Sequence, residues 1–237
     1  MKSDNLMGII TDQHSRQAPE NAERQSPEPL SCIAPIERHP WEPFIPDGAK
    51  VLMLGSFPPK ENRWSMDFFY PNFINDMWRI ISTVFFGDKD HFILKQEKRF
   101  DKTRIMEFCE KHGLALYDTA YEVRRMKDNA SDKFLEIVSP VDIESLLMAM
   151  PECRAVITTG EKASETVAAR FGCQVPKTGK HTEITLPAAS GKAEKRKIGF
   201  YRLPSSSRAY PMSLENKAAA YSVLRELLSQ DGPTGRH

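Results

Sequence analysis

Short apolar runs alternate with segments of helical periodicity through most of the chain after residue 46. Runs of this kind, bounded by Gly, Pro or charged residues, predict β-strands. They lie at residues 50–54, 114–117, 155–159, 183–186 and 198–203. The first run is apolar at nearly every position, which is typical of a strand that is buried on both faces of a sheet.

The segments between and after these runs repeat apolar residues at the spacing of an α-helix. We predict helices at residues 75–85, 98–111, 141–149, 161–171 and 213–228. Gly113 and Gly172 follow two of them at the usual C-terminal capping position, and Ser213 begins the last. Ser139 and Pro140 are expected to introduce the third helix. Strands that alternate with helices indicate an α/β fold with a mostly parallel sheet.

The first 46 residues differ in composition from the rest of the chain. They are rich in Pro, Glu, Ser, Gln and Arg, which predicts a disordered or extended segment. Its last part, residues 39–46, contains several prolines that favour an extended backbone, and Trp41 and Phe44 could dock on the domain that follows. We therefore predict one domain over residues 47–230 and a flexible tail over residues 231–237.

Composition and charge exclude some classes of protein. Cys32, Cys109, Cys153 and Cys173 are far apart and form no C-x-x-C pair, which argues against a zinc site or an iron–sulfur cluster. No apolar run approaches the ~20 residues that a membrane helix needs. The N-terminus lacks the apolar stretch of a signal peptide, so a cytoplasmic protein is expected. The net charge of +1 neither supports nor excludes DNA as a partner.

The first predicted strand leads into a turn, Gly-Ser-Phe-Pro-Pro, at residues 55–59. Aromatic residues are concentrated in and after this turn, at Phe57, Trp64, Phe68, Phe69 and Tyr70. Open α/β proteins bind ligands where such turns leave the carboxyl edge of a parallel sheet. The segment therefore predicts a pocket for a flat ligand.

The turn and other segments resemble, in order, motifs of the uracil-DNA glycosylase superfamily. The branch they look most like contains the mismatch-specific (thymine/uracil) and hypoxanthine-DNA glycosylases. The matches are G-x-x-P-x at 55–59, N-x-F-W at 75–78, G-x-x-L-x-D at 113–118, a short polar motif at 129–132, G-x-K-A at 158–163 and L-P-S-x-S at 203–207. Together they cover about residues 50–228.

The resemblance implies a three-layer α/β/α sandwich around a mostly parallel sheet of four strands. It also implies a monofunctional DNA glycosylase of base-excision repair, which hydrolyses the N-glycosidic bond of uracil or hypoxanthine flipped out of DNA. Such an enzyme is expected to act as a monomer, without a metal, iron–sulfur cluster or other cofactor. Its partner is DNA that contains a damaged or mismatched base.

The resemblance places three residues in catalysis. Main-chain N–H groups around Ser56 and Phe57 could face a base carbonyl, in the manner of an oxyanion hole. The family often has Asp, Asn or Glu at the position of Phe57 to orient the attacking water, and a phenyl ring cannot do this. Asn75, matching the asparagine of N-x-F-W, is the expected substitute, although it could equally cap the helix that begins there.

Other residues are expected to bind the flipped base. Gly55 and Pro58 shape the turn, and Phe69 or Tyr70 could stack on the base, with core packing as the alternative. Asn72 could read the edge of the base. Asp118 could line the pocket or simply end its strand.

The second loop is expected to contact DNA. Ser205, Ser206 and Ser207 offer hydroxyl and N–H groups to phosphates, Arg208 adds a charge, and Tyr210 could enter the gap left by the base. Alternatively, these residues form only a polar turn before a capped helix. Two basic clusters, Arg124, Arg125 and Lys127, and Lys192, Lys195, Arg196 and Lys197, could follow the DNA backbone or be solvated surface.

Two alternatives to a DNA glycosylase remain open from the sequence. The first is a DNA- or nucleobase-binding protein that has the pocket and lacks the chemistry, which the phenyl ring of Phe57 favours. The second is a hydrolase of free nucleosides or nucleotides. In that case, replacing the serines of the second loop with Ala would leave activity intact.

Overall fold

The computed structural model describes residues 34–126, 134–187 and 195–229. The strands are β1 Ile36–Arg38, β2 Val51–Gly55, β3 Ile93–Leu94, β4 Arg99–Phe100, β5 Leu114–Asp118, β6 Ala120–Arg125, β7 Leu135–Pro140, β8 Ala155–Thr159, β9 Lys180–Leu186 and β10 Arg196–Leu203. The α-helices are α1 Met77–Phe86, α2 Lys102–His112, α3 Ile143–Met148, α4 Glu161–Phe171, α5 Leu214–Tyr221 and α6 Val223–Leu227. A 3-10 turn occupies Glu61–Arg63.

The main sheet has five strands in the order β5-β2-β8-β10-β9. Its first three pairings are parallel and the last, between β10 and β9, is antiparallel. The prediction of a mixed α/β fold with a mostly parallel sheet is confirmed. The number of four strands is wrong, because the short run at 183–186 extends to form β9 and pairs along β10. The arrangement of the helices in two outer layers stays a prediction.

The sequence pattern did not predict a second, antiparallel sheet with the order β1-β6-β7. Its strands are only partly buried, and β6 mixes apolar residues with Glu and Arg without a regular alternation. Such strands contain no continuous apolar run and are difficult to recognise in a sequence. The chain passes directly from the main sheet into this second sheet, because only one residue separates β5 from β6.

The main core surrounds three adjacent parallel strands, β5, β2 and β8, which are buried at every position. Continuous burial explains why these strands were the most evident in the sequence. Helix α1 buries Trp78 and packs against α5. This contact places the start of α1 beside the loop that follows β10.

Most of the predicted helix boundaries are close to those observed. Gly113 and Gly172 follow α2 and α4 with left-handed φ values of 73° and 61°, and the Ser213 hydroxyl accepts a hydrogen bond from the Asn216 N–H. The predicted start of α3 is wrong. Ser139 and Pro140 end β7, and the Asp142 side chain caps the helix by accepting from the Ser145 N–H.

Residues 34–46 lie against the domain along a defined path. Strand β1 pairs with β6, and Phe44 exchanges backbone hydrogen bonds with Leu116 of β5. The Trp41 indole N–H donates to Asp67 Oδ1 at 2.6 Å. Between these contacts, the His39 side chain is fully buried near the end of β5. The predicted domain boundary at residue 46 stays a prediction.

Candidate active site

A cavity of about 720 Å³ opens where β2, β5, β8 and β10 end. It is lined by Gly55, Ser56, Phe57, Pro58, Pro59, Arg63, Tyr70, Pro71, Asn72, Ile74, Asn75, Asp118, Arg125, Leu135, Thr159 and residues 205–211. Because the carboxyl ends of parallel strands share one edge of the sheet, segments far apart in sequence meet here. The volume is within the range of small-molecule sites, about 300–1,000 Å³.

The turn at residues 55–59 is fixed by the adjoining strand. The carbonyls of Gly55 and Ser56 accept hydrogen bonds from the N–H groups of Thr119 and Ala120, at 2.9 and 3.2 Å. Gly55 is required because a Cβ at this position would lie 2.3 Å from Asp118 Oδ1. The turn therefore brings its backbone and the Asp118 carboxylate unusually close together.

Phe57 anchors the turn to the second sheet. Its ring packs against a small buried cluster formed by Ala120, Val123 and Leu135. The ring also meets the His39 imidazole edge to face, with the centroids 5.6 Å apart. A phenyl ring at this position supports the turn by apolar packing and provides no hydrogen bond to a water molecule.

The two neighbouring aromatic residues after the turn lie in different environments. Tyr70 lines the cavity, has a left-handed φ of 53°, and its hydroxyl is 3.1 Å from Thr159 Oγ1. Such a φ is uncommon for a residue other than Gly. Phe69 is 2% exposed, packs against Trp41 and Phe68, and does not line the cavity. Of the two residues suggested to stack on a base, Tyr70 is therefore the one at the cavity.

Asn72 and Asn75 both direct their side-chain oxygens to the backbone. Asn72 Oδ1 accepts from the Ile74 N–H at 3.1 Å, and Asn75 Oδ1 accepts from the Met77 N–H at 2.8 Å. Because an N–H group faces each oxygen, the amide orientation is defined. Neither NH₂ group has a hydrogen-bond partner among the described residues, so both are available as donors on side chains that line the cavity.

Asp118 ends β5 and is bound by a residue that the sequence did not indicate. His39 Nε2 lies 3.0 Å from Asp118 Oδ2, and both side chains are at least nine-tenths buried. The other ring nitrogen, Nδ1, lies 2.8 Å from the Trp41 carbonyl oxygen. Burial also raises the pKa of the adjacent Tyr117 to about 12. His39 has no motif around it, so only the fold reveals this pair.

The loop that follows β10 is held by a cluster of buried charges. The Lys217 ammonium is completely buried and donates to Asp76 Oδ2 at 3.0 Å and to the Ser207 carbonyl at 2.8 Å. Arg208 donates to Asp76 Oδ1 at 3.2 Å, and the Asp76 N–H donates to the Ser206 carbonyl. The sequence did not predict a role for either residue, since Asp76 occupies the variable position of the N-x-F-W match and Lys217 belongs to no recognisable motif.

The loop residues differ in exposure. Ser206 is 3% exposed, whereas Ser207 is exposed and the Arg208 side chain remains 54% exposed despite its ion pair. Ser205 and Tyr210 are partly exposed on the cavity wall. Only some of the loop's predicted DNA-binding groups therefore have side chains at the surface.

The basic clusters are largely occupied by contacts within the protein. Arg125 binds Glu37 at 2.9 Å and donates to the Pro58 carbonyl at 3.2 Å. Arg196 donates to the carbonyls of Met150 and Pro151. Lys127, Lys192 and the polar motif at 129–132 lie outside the described residues.

The cavity brings together the site residues predicted from the sequence, with the exception of Phe69. It adds Thr159, Arg125 and, behind Asp118, the buried His39. Within the described ranges, no group of three or more His, Cys, Asp or Glu side chains is arranged to hold a metal ion. None of the helices in these ranges is long and apolar enough to span a membrane.

This architecture is similar to that of a solution NMR structure from Methanosarcina acetivorans, titled a putative uracil DNA glycosylase. The TM-score is 0.52 at 19% sequence identity, over 81% of this chain and 98% of that chain. The chain has a uracil DNA glycosylase-like fold. No family model and no curated protein sequence matches it. The likeness therefore concerns the fold, and the chemistry has to be argued from the site.

Proposed function

We propose that this protein is a DNA glycosylase that hydrolyses the N-glycosidic bond of a deaminated base, uracil or hypoxanthine, flipped out of DNA for base-excision repair. One observation carries the proposal: a single cavity combines the turn at residues 55–59 with the serine loop at residues 205–208. These are the two segments through which such an enzyme would hold the base and the DNA backbone. The glycosylase-like fold supports the same reading.

The donors in the cavity wall suit a deaminated base. Deamination replaces an exocyclic amino group, which donates hydrogen bonds, with a carbonyl oxygen, which accepts them. The NH₂ groups of Asn72 and Asn75 can donate to such an oxygen, since their own oxygens are bound to the backbone. Adenine and cytosine would present their amino groups to these donors and leave them unpaired, which costs about 1–3 kcal/mol per buried group.

Asn75 contributes to catalysis through its NH₂ group in this proposal. Negative charge gathers on the departing base. A hydrogen bond donated to the base carbonyl is therefore stronger in the transition state than in the ground state. The N–H groups around Ser56 and Phe57 would add to this stabilisation. The sequence suggested that the Asn75 oxygen holds the attacking water, but that oxygen accepts a hydrogen bond from Met77.

The remaining walls suit the rest of the flipped nucleotide. Tyr70 lies at the cavity and can stack on the base, a contact worth about 1–3 kcal/mol. Ser207 and Arg208 are exposed beside the cavity, where they can contact the phosphates that flank the nucleotide. Tyr210 and the exposed Ile74 stand at the same cavity and could fill the gap in the duplex.

A second candidate is a protein that binds a damaged base without cleaving it. Phe57 favours this candidate because its ring cannot orient water at the position where glycosylases of the superfamily often have a polar residue. The same fold and cavity would serve binding alone. The two candidates differ in whether abasic sites form.

The test is strand cleavage by alkali after incubation with labelled oligonucleotides that carry one uracil, hypoxanthine or xanthine opposite each normal base. Wild type is compared with Asn75→Ala and with Asn216→Ala, a control at an exposed asparagine. Cleavage at one lesion without added metal, lost in Asn75→Ala and retained in the control, is expected. Binding without cleavage by the wild type would select the non-catalytic candidate. Cleavage of free nucleosides that survives Ala at Ser205, Ser206 and Ser207 would select a nucleoside hydrolase.

A further inference from the structure

We propose that Asp118 is the catalytic base that activates the attacking water, and that His39 is the residue that positions it. The inference rests on the proposed glycosylase function. It assigns residues to the activation of water, a step for which Phe57 offers no polar group. His39 belongs to the segment of residues 1–46, which the sequence predicts to lie outside the domain.

The side chains of the cavity include few proton acceptors. Among the described residues that line it, Asp118 is the one carboxylate, and no histidine lines it. The other polar side chains are hydroxyl, amide and guanidinium groups. At neutral pH, a carboxylate is a far better proton acceptor than any of these. A general base in this cavity therefore has one candidate.

The two oxygens of the Asp118 carboxylate lie in different surroundings. Oδ2 lies 3.0 Å from His39 Nε2. Oδ1 lies close to Gly55, at 2.3 Å from the position that a Cβ would occupy. Among the described residues, no donor other than His39 is hydrogen-bonded to this carboxylate. Oδ1 is thus available to a water molecule held between the end of β5 and the turn at residues 55–59.

The His39 side chain is fixed in place by its packing. This side chain is 0% exposed, and its ring lies 4.6 Å from the Tyr117 ring and 5.6 Å from the Phe57 ring, between centroids. In the proposed role, His39 donates through Nε2 to the ionised carboxylate, which accepts hydrogen bonds only. His39 thus orients the Asp118 carboxylate through a hydrogen bond, as one side chain orients a catalytic partner in other active sites.

This arrangement also gives a role to Phe57. The phenyl ring occupies the place of a polar residue in the turn and packs directly against the imidazole that holds Asp118. The water-activating group would then come from the neighbouring strand β5 instead of the turn. Phe57 supports that group by packing and takes no direct part in the chemistry.

The reaction balances without another reagent. The bond between C1′ and the base nitrogen breaks, and its electron pair leaves with the base. The water oxygen forms a bond to C1′, and the water proton passes to Asp118 Oδ1. The departing base anion is held by the NH₂ groups of Asn72 and Asn75 and takes a proton from solvent on release.

The test measures two quantities separately, the single-turnover excision rate and the dissociation constant for the lesion-containing oligonucleotide. Asp118→Asn should lower the rate by about 100-fold or more, as removal of a general base does, and leave the dissociation constant unchanged. Asp47→Asn is the matched control, because Asp47 is exposed and remote from the cavity lining. Thermal unfolding is measured for every variant.

A second pair of variants tests His39. His39→Phe retains a ring and removes the donor, and should lower the rate by about 10-fold or more with unchanged binding. His39→Gln offers an amide N–H to Asp118 and should recover part of that loss, which a purely structural role would not predict. His181→Phe is the control, at an exposed histidine stacked on Tyr201.

The outcomes separate this inference from the proposed function. If the wild type is active and the excision rate of Asp118→Asn is within threefold of the wild-type rate, the role of Asp118 is overturned. The proposed glycosylase function is then unaffected. If His39→Phe and wild type excise the base at equal rates, the positioning role of His39 is overturned. If Asp118→Asn does not fold, the rates of the His39 variants are the test of the proposed pair. A wild type that excises no lesion overturns both proposals.

Discussion

The cavity has two walls that are stabilised in different ways. The turn wall, residues 55–59 with Asp118, is held by backbone hydrogen bonds to the start of β6 and by apolar packing around Phe57. The loop wall, residues 205–208, is held by the buried ion pair of Asp76 and Lys217 together with the half-exposed Arg208. One wall depends mainly on the main chain and the other mainly on charged side chains.

This difference determines how each wall responds to substitution. Backbone hydrogen bonds survive most changes of side chain, so the turn wall is sensitive mainly where atoms are in close contact. A buried ion cluster fails when any member is removed, because the remaining charges are left without partners in a poorly solvated site. The loop wall should therefore show the largest single-residue effects.

Replacement of Lys217 tests this difference most strongly. Lys217→Met should lower the free energy of unfolding by about 3–5 kcal/mol, since it leaves Asp76 buried with only Arg208 as its ionic partner. Urea denaturation measures the change. The double variant Asp76→Asn/Lys217→Met should be more stable than Lys217→Met alone. If both variants lose the same free energy, the charges are not what holds the loop wall.

Replacement of Gly55 tests the close contact in the turn wall. Gly55→Ala should lower the free energy of unfolding by about 1–3 kcal/mol, because the new methyl group would overlap Asp118 Oδ1, which His39 also holds in place. Gly199→Ala is the control. Its Cβ would meet the ring of Tyr201, which is partly exposed and able to turn aside. Equal losses in the two variants would contradict the special constraint at Gly55.

The smallest expected effect is that of replacing Tyr221, which is hydrogen-bonded to the residue directly before the loop wall. Its hydroxyl donates to the Pro204 carbonyl at 2.8 Å, so Tyr221→Phe should cost about 1 kcal/mol at neutral pH, measured by urea denaturation. Burial raises the pKa of Tyr221 well above its ordinary value.

The raised pKa gives this prediction a pH dependence. A folded pKa above the unfolded value, about 10, means that the contribution to stability is complete below that pH and is lost as the pH rises further. Wild type should therefore lose stability above about pH 10, and Tyr221→Phe should lose less. Tyr117→Phe is the comparison beside the turn wall, where burial raises the pKa to about 12. An alkaline loss that is identical in all three proteins would contradict the assignment.

The sequence predicted the turn wall better than the loop wall. Strands β2, β5 and β8 are buried on both faces, and this is the pattern that a single sequence shows most clearly. The G-x-x-P turn and Asp118 directly follow two of these strands, so their meeting at one edge could be expected. The serines of the loop were recognised from their motif.

The sequence could not show what holds the site residues. His39 and Asp118 are 79 residues apart, and Asp76 and Lys217 are 141 apart, without any periodic pattern to relate them. Lys217 occurs within a helix whose sequence also suits a solvent-exposed lysine. Strands β1, β6 and β7 were missed because their alternation of apolar and charged residues is weak. Only three-dimensional contacts distinguish these cases.

The contact between Asp76 and Lys217 has a consequence for the order of events during synthesis. Helix α5, which contains Lys217, follows all the cavity-lining segments in chain order. The turn wall can be completed once β6 and β7 have emerged from the ribosome, but the loop wall has to wait for α5. Contacts of such long sequence separation form slowly, because a large loop must close before they contribute. A nascent chain would thus have one stable wall of its cavity and lack the other until α5 has been synthesised.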